Sequence, residues 1–224
     1  MSPARPTLTP LVQESTPSII ADRLRQAISQ GELQAGTQLG EARLAKELGV
    51  SRGPLREGMQ RLTQEGLLVS IRNRGVFVVE LTAADVRDMY VARSAVERAA
   101  VAQIFNGDPA HAAGALLEVC RTMELASERN DGAAIGAADL EFHEVLVSLA
   151  ESPRLSRMHL TLLTETRMCI NALQHTYPAP DVRVPEHLAI AEAFQQPDPD
   201  VADQLLVSHM RDAVERLVTV VPPS

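Results

Sequence analysis

The feature that most constrains this chain begins at residue 82. From there to residue 219 no strand-like alternation of apolar and polar residues occurs, and helix-start signals recur instead. Thr82-Ala-Ala-Asp85 reads as a capping box, in which hydroxyl and carboxylate each satisfy a backbone N–H that helix geometry leaves unpaired. Asp108-Pro109, Ser152-Pro153 and Asp198-Pro199 join a capping side chain to a proline at the first helical position, where a missing N–H costs nothing. A helix from this capping box to about Phe105 and segments near 109–129, 133–150, 153–176, 184–196 and 199–219 predict about six helices, packed as an antiparallel bundle.

The first eighty residues follow another pattern. Residues 1–15 are rich in Pro, Ser and Thr and read as a flexible arm. Thr16-Pro17 is read as a cap and first helical residue, followed by Ile20, Leu24 and Ile28 on one face and closed by Gly31. A short helix from Glu41 to Leu48, a turn at Gly49 and a helix from Arg52 to about Glu65, with Ser51 placed to cap it, match a helix-turn-helix. Two strands, 67–71 and 76–79, flank Arg72-Asn73-Arg74-Gly75 and add a basic-tipped wing. The expected fold is mainly α: a winged helix-turn-helix over 16–80 and an all-α effector and dimerisation domain over 81–224.

Composition sets limits on class. A hydrophobic share of 45% in 224 residues is enough for a core, which excludes a disordered chain. No apolar run reaches the roughly 20 residues of a membrane span. The N-terminus has no apolar stretch long enough for a signal peptide, so a cytoplasmic location is expected. Cys120 and Cys169 are too few for a disulfide framework and read as small buried residues. The net charge of −8 argues against nucleic acid until it is divided. Residues 1–80 carry ten Arg/Lys against eight Asp/Glu; residues 81–224 carry eleven against twenty-one. The acidity belongs to the helical part, and the two parts are expected to meet different partners.

A recognition helix presents its first residues to base edges in the major groove. Here those are Ser51, Arg52, Gly53, Pro54 and Arg56. Arg52 or Arg56 could grip guanine with two parallel hydrogen bonds, Ser51 and the helix N-terminus could hold a phosphate, and Arg43, Arg72 and Arg74 could reach the backbone or minor groove. The stretch GELQAGTQLGEARLAKELGVSRGPLREGMQRLTQEGLLVSIRNRGVFV resembles the DNA-binding domain of the GntR family of bacterial regulators. The resemblance places Arg43, Ser51, Arg52, Arg56 and Gly75 at operator contacts. It departs from the family at Gly58, where Ala is usual after the Arg-Glu pair; an interior glycine costs a helix roughly 0.5–1 kcal/mol.

In the helical part, Asp139 and His143 lie one turn apart on one face. His187 shares a face with Ile190 and Phe194, and His209 lies in the stripe of Leu205, Ala213 and Leu217. One carboxylate and three imidazoles on inward faces could converge on a divalent metal, although a lone inward histidine is more often a core residue than a ligand. Zinc, nickel, manganese and iron all suit such a set. His111, His159 and His175 lack a matching pattern and read as ordinary.

The run Tyr90-Val-Ala-Arg93-Ser-Ala-Val-Glu97, the Asp139/His143 spacing, Glu186-His187 and the late His209 resemble the FadR-type effector domain, called FCD. That resemblance implies metal binding through Asp139, His143, His187 and His209, zinc first among the candidates. A small carboxylate effector could complete the metal, with Arg93 and Arg167 gripping it bidentately and Tyr90 and Asn171 adding polar contacts. Alternatively, Arg93 simply pairs with Glu97.

The expected function is that of a homodimeric regulator, a repressor by the commoner polarity. It would bind palindromic double-stranded operator DNA and need no membrane. The rivals are a regulator responding to metal alone and a metal-dependent enzyme. No acid or base can be tied to the site, since Glu144 points to another helix face, and the chain is therefore not read as an enzyme.

Overall fold

The computed structural model describes residues 15–172, 183–219 and 221. The N-terminal part comprises α1 (Thr16–Ser29), β1 (Gln38–Leu39), α2 (Glu41–Glu47), α3 (Arg52–Gln64), β2 (Leu68–Ile71) and β3 (Gly75–Val78). The helical part comprises α4 (Ala83–Phe105), α5 (Pro109–Glu128), α6 (Gly132–Ser148), α7 (Pro153–Ala172), α8 (Arg183–Ala193) and α9 (Pro199–Leu217). The arm expected over 1–15 and the predicted extension of α7 to 176, with His175 in it, fall mostly or wholly outside the described residues.

Most helix starts lie where the capping chemistry indicates. Thr82 and Asp85 form the reciprocal capping box, and Asp108 and Asp198 accept backbone N–H groups of α5 and α9. Two details differ. Ser15, not Thr16, caps α1, accepting from the Ser18 N–H; Thr16 and Pro17 lie inside the helix. Ser51 occupies the cap of α3 with extended backbone, but its hydroxyl makes no capping bond.

The sheet has order β1-β3-β2, all antiparallel. Its two-residue β1 went unread in the sequence because so short a strand carries no periodicity. Ile20, Leu24, Ile28, Leu44, Leu55, Met59, Leu62, Leu67, Leu68 and Val78 form one core beneath the winged helix-turn-helix. A second core is built from all six helices of that part around Phe142, Leu146, Ile190, Phe194 and Leu206, with Cys169 as the buried member from α7.

Gly58 is explained by packing. A Cβ there would sit 2.9 Å from Ile20 Cγ2 and 3.1 Å from the Pro17 carbonyl oxygen. The glycine lets α1 and α3 approach closely, so its helix-propensity cost is offset by contact. Among the described residues no helix is long and apolar enough to cross a membrane.

Candidate functional site

Asp139 and His143 on α6, His187 on α8 and His209 on α9 bring their ligand atoms within 4.8 Å of one another, all four buried. The outer nitrogen of each imidazole is committed. His143 Nδ1 donates to Glu97 Oε2 at 2.7 Å, His209 Nδ1 to Glu186 Oε2 at 2.8 Å and His187 Nδ1 to the Arg183 carbonyl at 2.8 Å. Those acceptors place the ring protons on Nδ1, as this hydrogen-bond network requires. Three Nε2 lone pairs therefore turn inward.

The inward atoms are electrostatically incomplete. His143 Nε2 and His209 Nε2 face each other at 3.1 Å, and with both protons outward neither can donate. His187 Nε2 is buried with no hydrogen-bond partner among the described residues and lies 3.5 Å from Asp139 Oδ1. Burial, reinforced by the Arg93 charge, lowers the His143 pKa to about 4; burial and then His209 lower that of His187 to about 3. Both rings are neutral at pH 7, as ligands must be. Burial resists ionisation of Asp139, but the three imidazoles and Arg93 outweigh it and bring its pKa to about 2. A carboxylate and facing lone pairs without protons between them fit a divalent cation. Metal–nitrogen bonds of about 2.0–2.1 Å hold neighbouring ligand nitrogens roughly 3 Å apart. Phe142, fully buried, meets the His187 ring edge-on at 4.7 Å and keeps water from that side.

The outer layer is ionic. Glu97 is buried; Oε1 receives Arg93 Nε at 2.6 Å and His159 Nε2 at 2.8 Å, while Oε2 receives His143. Burial opposes its charge, but Arg93 and His143 hold its carboxyl well below the usual range. Glu186, also resisted by burial, is brought to about 2 by its bonds from His209 and Arg216. His159, read as ordinary from the sequence, is 2% exposed and belongs to this layer. Its only sequence signal was the seven-residue spacing to Thr166, two turns along the same helix face.

The residues nominated for an effector separate. Arg93 does pair with Glu97, and its Nη1 donates to Tyr90 Oη at 3.3 Å and Thr166 Oγ1 at 3.4 Å. Its Nη2 is buried without a hydrogen-bond partner among the described residues. Arg167 is half-buried on α7, about 100° round from Thr166. Asn171 ends in a side chain outside the described residues.

The winged helix-turn-helix is its opposite, because the arginines singled out there are all exposed. Arg52 is at the first turn of α3 with half-buried Pro54 behind it. Arg56 Nε donates to Glu41 Oε2 at 2.7 Å, and Arg43 lies 3.6 Å from Glu47. Arg74 lies over the Phe77 ring at 5.5 Å, and Gln38 Nε2 donates to the Arg74 carbonyl. Gly75, with φ of 103°, makes that wing turn. Glu41 and Gln38 support these arginines and escaped the sequence reading, because the pairs span 15 and 36 residues.

Comparison with known proteins accounts for both halves. Residues 18–78 match bacterial regulatory proteins of the gntR family, and residues 88–212 match the FCD domain. An HTH-type transcriptional regulator of Agrobacterium vitis, from the TAR-I ttuE-ttuC' intergenic region, is 35% identical over 130 residues, spanning 57% of this chain and 76% of the relative. The HTH-type transcriptional repressor RspR of Escherichia coli K12 is 25% identical, spanning 86% and 84%. A crystal structure of a GntR-type regulator from Rhodococcus sp. RHA1 superposes with a TM-score of 0.75 at 28% identity, covering 91% of this chain and 97% of that one. These relatives are regulators of transcription rather than enzymes. The chain belongs to the GntR family of DNA-binding transcriptional regulators and carries an FCD domain.

Proposed function

We propose that this GntR-family regulator holds a divalent cation, zinc first among the candidates, on Asp139, His143, His187 and His209, and that a small carboxylate bound there controls operator affinity. One observation carries the reading: three buried imidazoles have their outer nitrogens satisfied and their inner lone pairs turned on one another beside an ionised carboxylate. That arrangement is costly without a cation at its centre.

The cation supplies a positive centre with positions for an anionic ligand. Arg93 adds the buried Nη2, whose N–H groups match a carboxylate oxygen. The arginines of α3 and the wing read a palindromic duplex as a homodimer, with two recognition helices about one DNA turn apart. Repression is the proposed polarity, supported by the role named for the Escherichia coli relative.

The test is an operator-shift titration in which chelator, then zinc, then a panel of small carboxylates is added. A carboxylate that changes operator affinity only when zinc is present is the expected result. A change on chelation alone, with no carboxylate effect, replaces this reading with a metal-responsive regulator. Full metal occupancy by elemental analysis in His143→Ala/His209→Ala overturns the site itself.

A further inference from the structure

Helix α7 has two faces, and they belong to different halves of the molecule. His159 and Thr166, seven residues apart, share one face and reach Glu97 Oε1 at 2.8 Å and Arg93 Nη1 at 3.4 Å. Met168 is nine residues from His159, half a turn round the helix, and it packs against the core of the winged helix-turn-helix. Beside it, Glu165 Oε1 would lie 3.8 Å from a Cβ built on Gly66, and α7 packs on α1. One helix thus touches the polar site on one side and the DNA-reading head on the other.

We infer that His159 is a positioning residue through which the state of the polar site sets the seating of α7 on the DNA-reading head. The inference rests on the metal reading above and adds the route of its regulation. Glu97 is the junction: a single buried carboxylate holds His143 by one oxygen, and His159 together with Arg93 by the other. A cation on His143 Nε2 would draw electron density from the ring and make Nδ1–H a stronger donor to Oε2. The carboxylate is a rigid fork, so movement of Oε2 moves Oε1, and His159 must follow or weaken its bond. A bound carboxylate on Arg93 Nη2 would compete with Glu97 for the guanidinium charge and leave His159 with the larger share in holding that oxygen. Each event changes the energy of α7's inner face while its outer face is seated in the other core. That differential interaction is what a ligand needs in order to shift a conformational equilibrium.

The experiment uses the full chain, with zinc as probe and an operator duplex selected from a random-sequence pool. Zinc affinity is measured by chelator competition. Operator affinity and hydrogen exchange of α1 are measured with and without zinc. In the wild type, zinc is expected to change operator affinity at least fivefold and to alter exchange in α1. In His159→Leu, zinc affinity stays within about threefold of wild type, while the zinc effect on operator and on α1 falls below twofold. His159→Gln, which can still donate to Glu97, regains part of the effect. Should His159→Leu not fold, Met168→Ala on the far face gives the same loss of response with zinc affinity unchanged. An undiminished zinc response in His159→Leu overturns the route, and so does a more than tenfold loss of zinc affinity, which would make His159 part of the site rather than a link. A wild type that binds zinc with no change at operator or α1 also overturns it. A wild type that takes up no zinc overturns the metal reading, so the two failures are distinguishable.

Discussion

Arginine serves both halves of this molecule in opposite physical states. In the reading head Arg43 and Arg56 are more than 60% exposed and held by single ion pairs. In the helical domain Arg93 is 1% exposed, with its Nε on Glu97, its Nη1 on Tyr90 and Thr166, and the Tyr90 ring 5.2 Å away. Exposed pairs contribute little to stability, because water competes for both charges and the side chains lose entropy. A buried pair costs desolvation on both sides and is tolerable only while complete. The head's arginines therefore contribute little to the fold, whereas Arg93 is fixed within it.

The sharpest break of that comparison is Arg93→Leu. It leaves the Glu97 carboxylate buried without its main counter-charge, an error that costs about 3–5 kcal/mol. The expected outcome is a folded-state loss of that size by urea unfolding of the zinc-free protein. A loss below about 1 kcal/mol would mean that His143 and His159 suffice to hold Glu97 and that Arg93 is no more structural than the arginines of the head.

Arg52→Ala is the matching test on the other side. It removes an exposed side chain with no side-chain partner among the described residues, so thermal stability stays within about 0.5 kcal/mol. Specific operator affinity is expected to fall by about 1–3 kcal/mol, the worth of one good bidentate base contact. Equal weakening on every duplex sequence would instead identify Arg52 as a phosphate contact.

The same contrast explains what the sequence made legible. Asp139, His143, His187 and His209 could be singled out because each sits on an apolar helical stripe, where a polar residue stands out. Glu97 and His159 could not be joined, because their contact depends on how α4 and α7 cross, which no periodicity encodes. Most caps were readable, since a cap is a local competition for the first N–H groups of one helix. Ser15 took the place of Thr16 because proline at the second helical position suits the helix as well as proline at the first. Gly58 illustrates the limit of local reasoning. By propensity alone it is a defect, and only the Ile20 and Pro17 contacts show why it belongs.

Gly58→Ala turns that point into a measurement on the head. Propensity favours alanine by roughly 0.5–1 kcal/mol. Against it stands a 3.1 Å approach to the Pro17 carbonyl, which cannot rotate aside as a side-chain tip could. Overpacking typically costs 1–3 kcal/mol, so a net loss of about 1 kcal/mol is expected, read as a Tm lowered by about 2–4 °C. A raised Tm would show that α1 slides freely on α3.

The smallest expected effect lies where the halves meet. Burial first, then the charges of Asp85 and Asp88, raises the Glu165 carboxyl from an ordinary value of 4.5 to about 7. A raised carboxyl pKa means that the folded state prefers the proton more than the unfolded chain does. Its contribution is complete below pH 4.5 and is lost as pH rises through 7. His143 and His187 have the opposite sign: their pKa values are lowered from 6.5, so the stability they contribute is lost as pH falls below that value. The seam and the site therefore pull stability in opposite directions over the same acidic range, and the Glu165 cost is read alone only above pH 7, where the imidazoles are neutral in both states. Glu165→Gln keeps the shape and removes the charge. Because the group is partly solvated, the gain is discounted to about 1 kcal/mol at pH 8.5, a rise in Tm of about 2–4 °C, with less than half of that rise at pH 5.5. An equal rise at both pH values would make the effect one of packing, and the carboxylate cluster beside α7 would then carry no charge-dependent role.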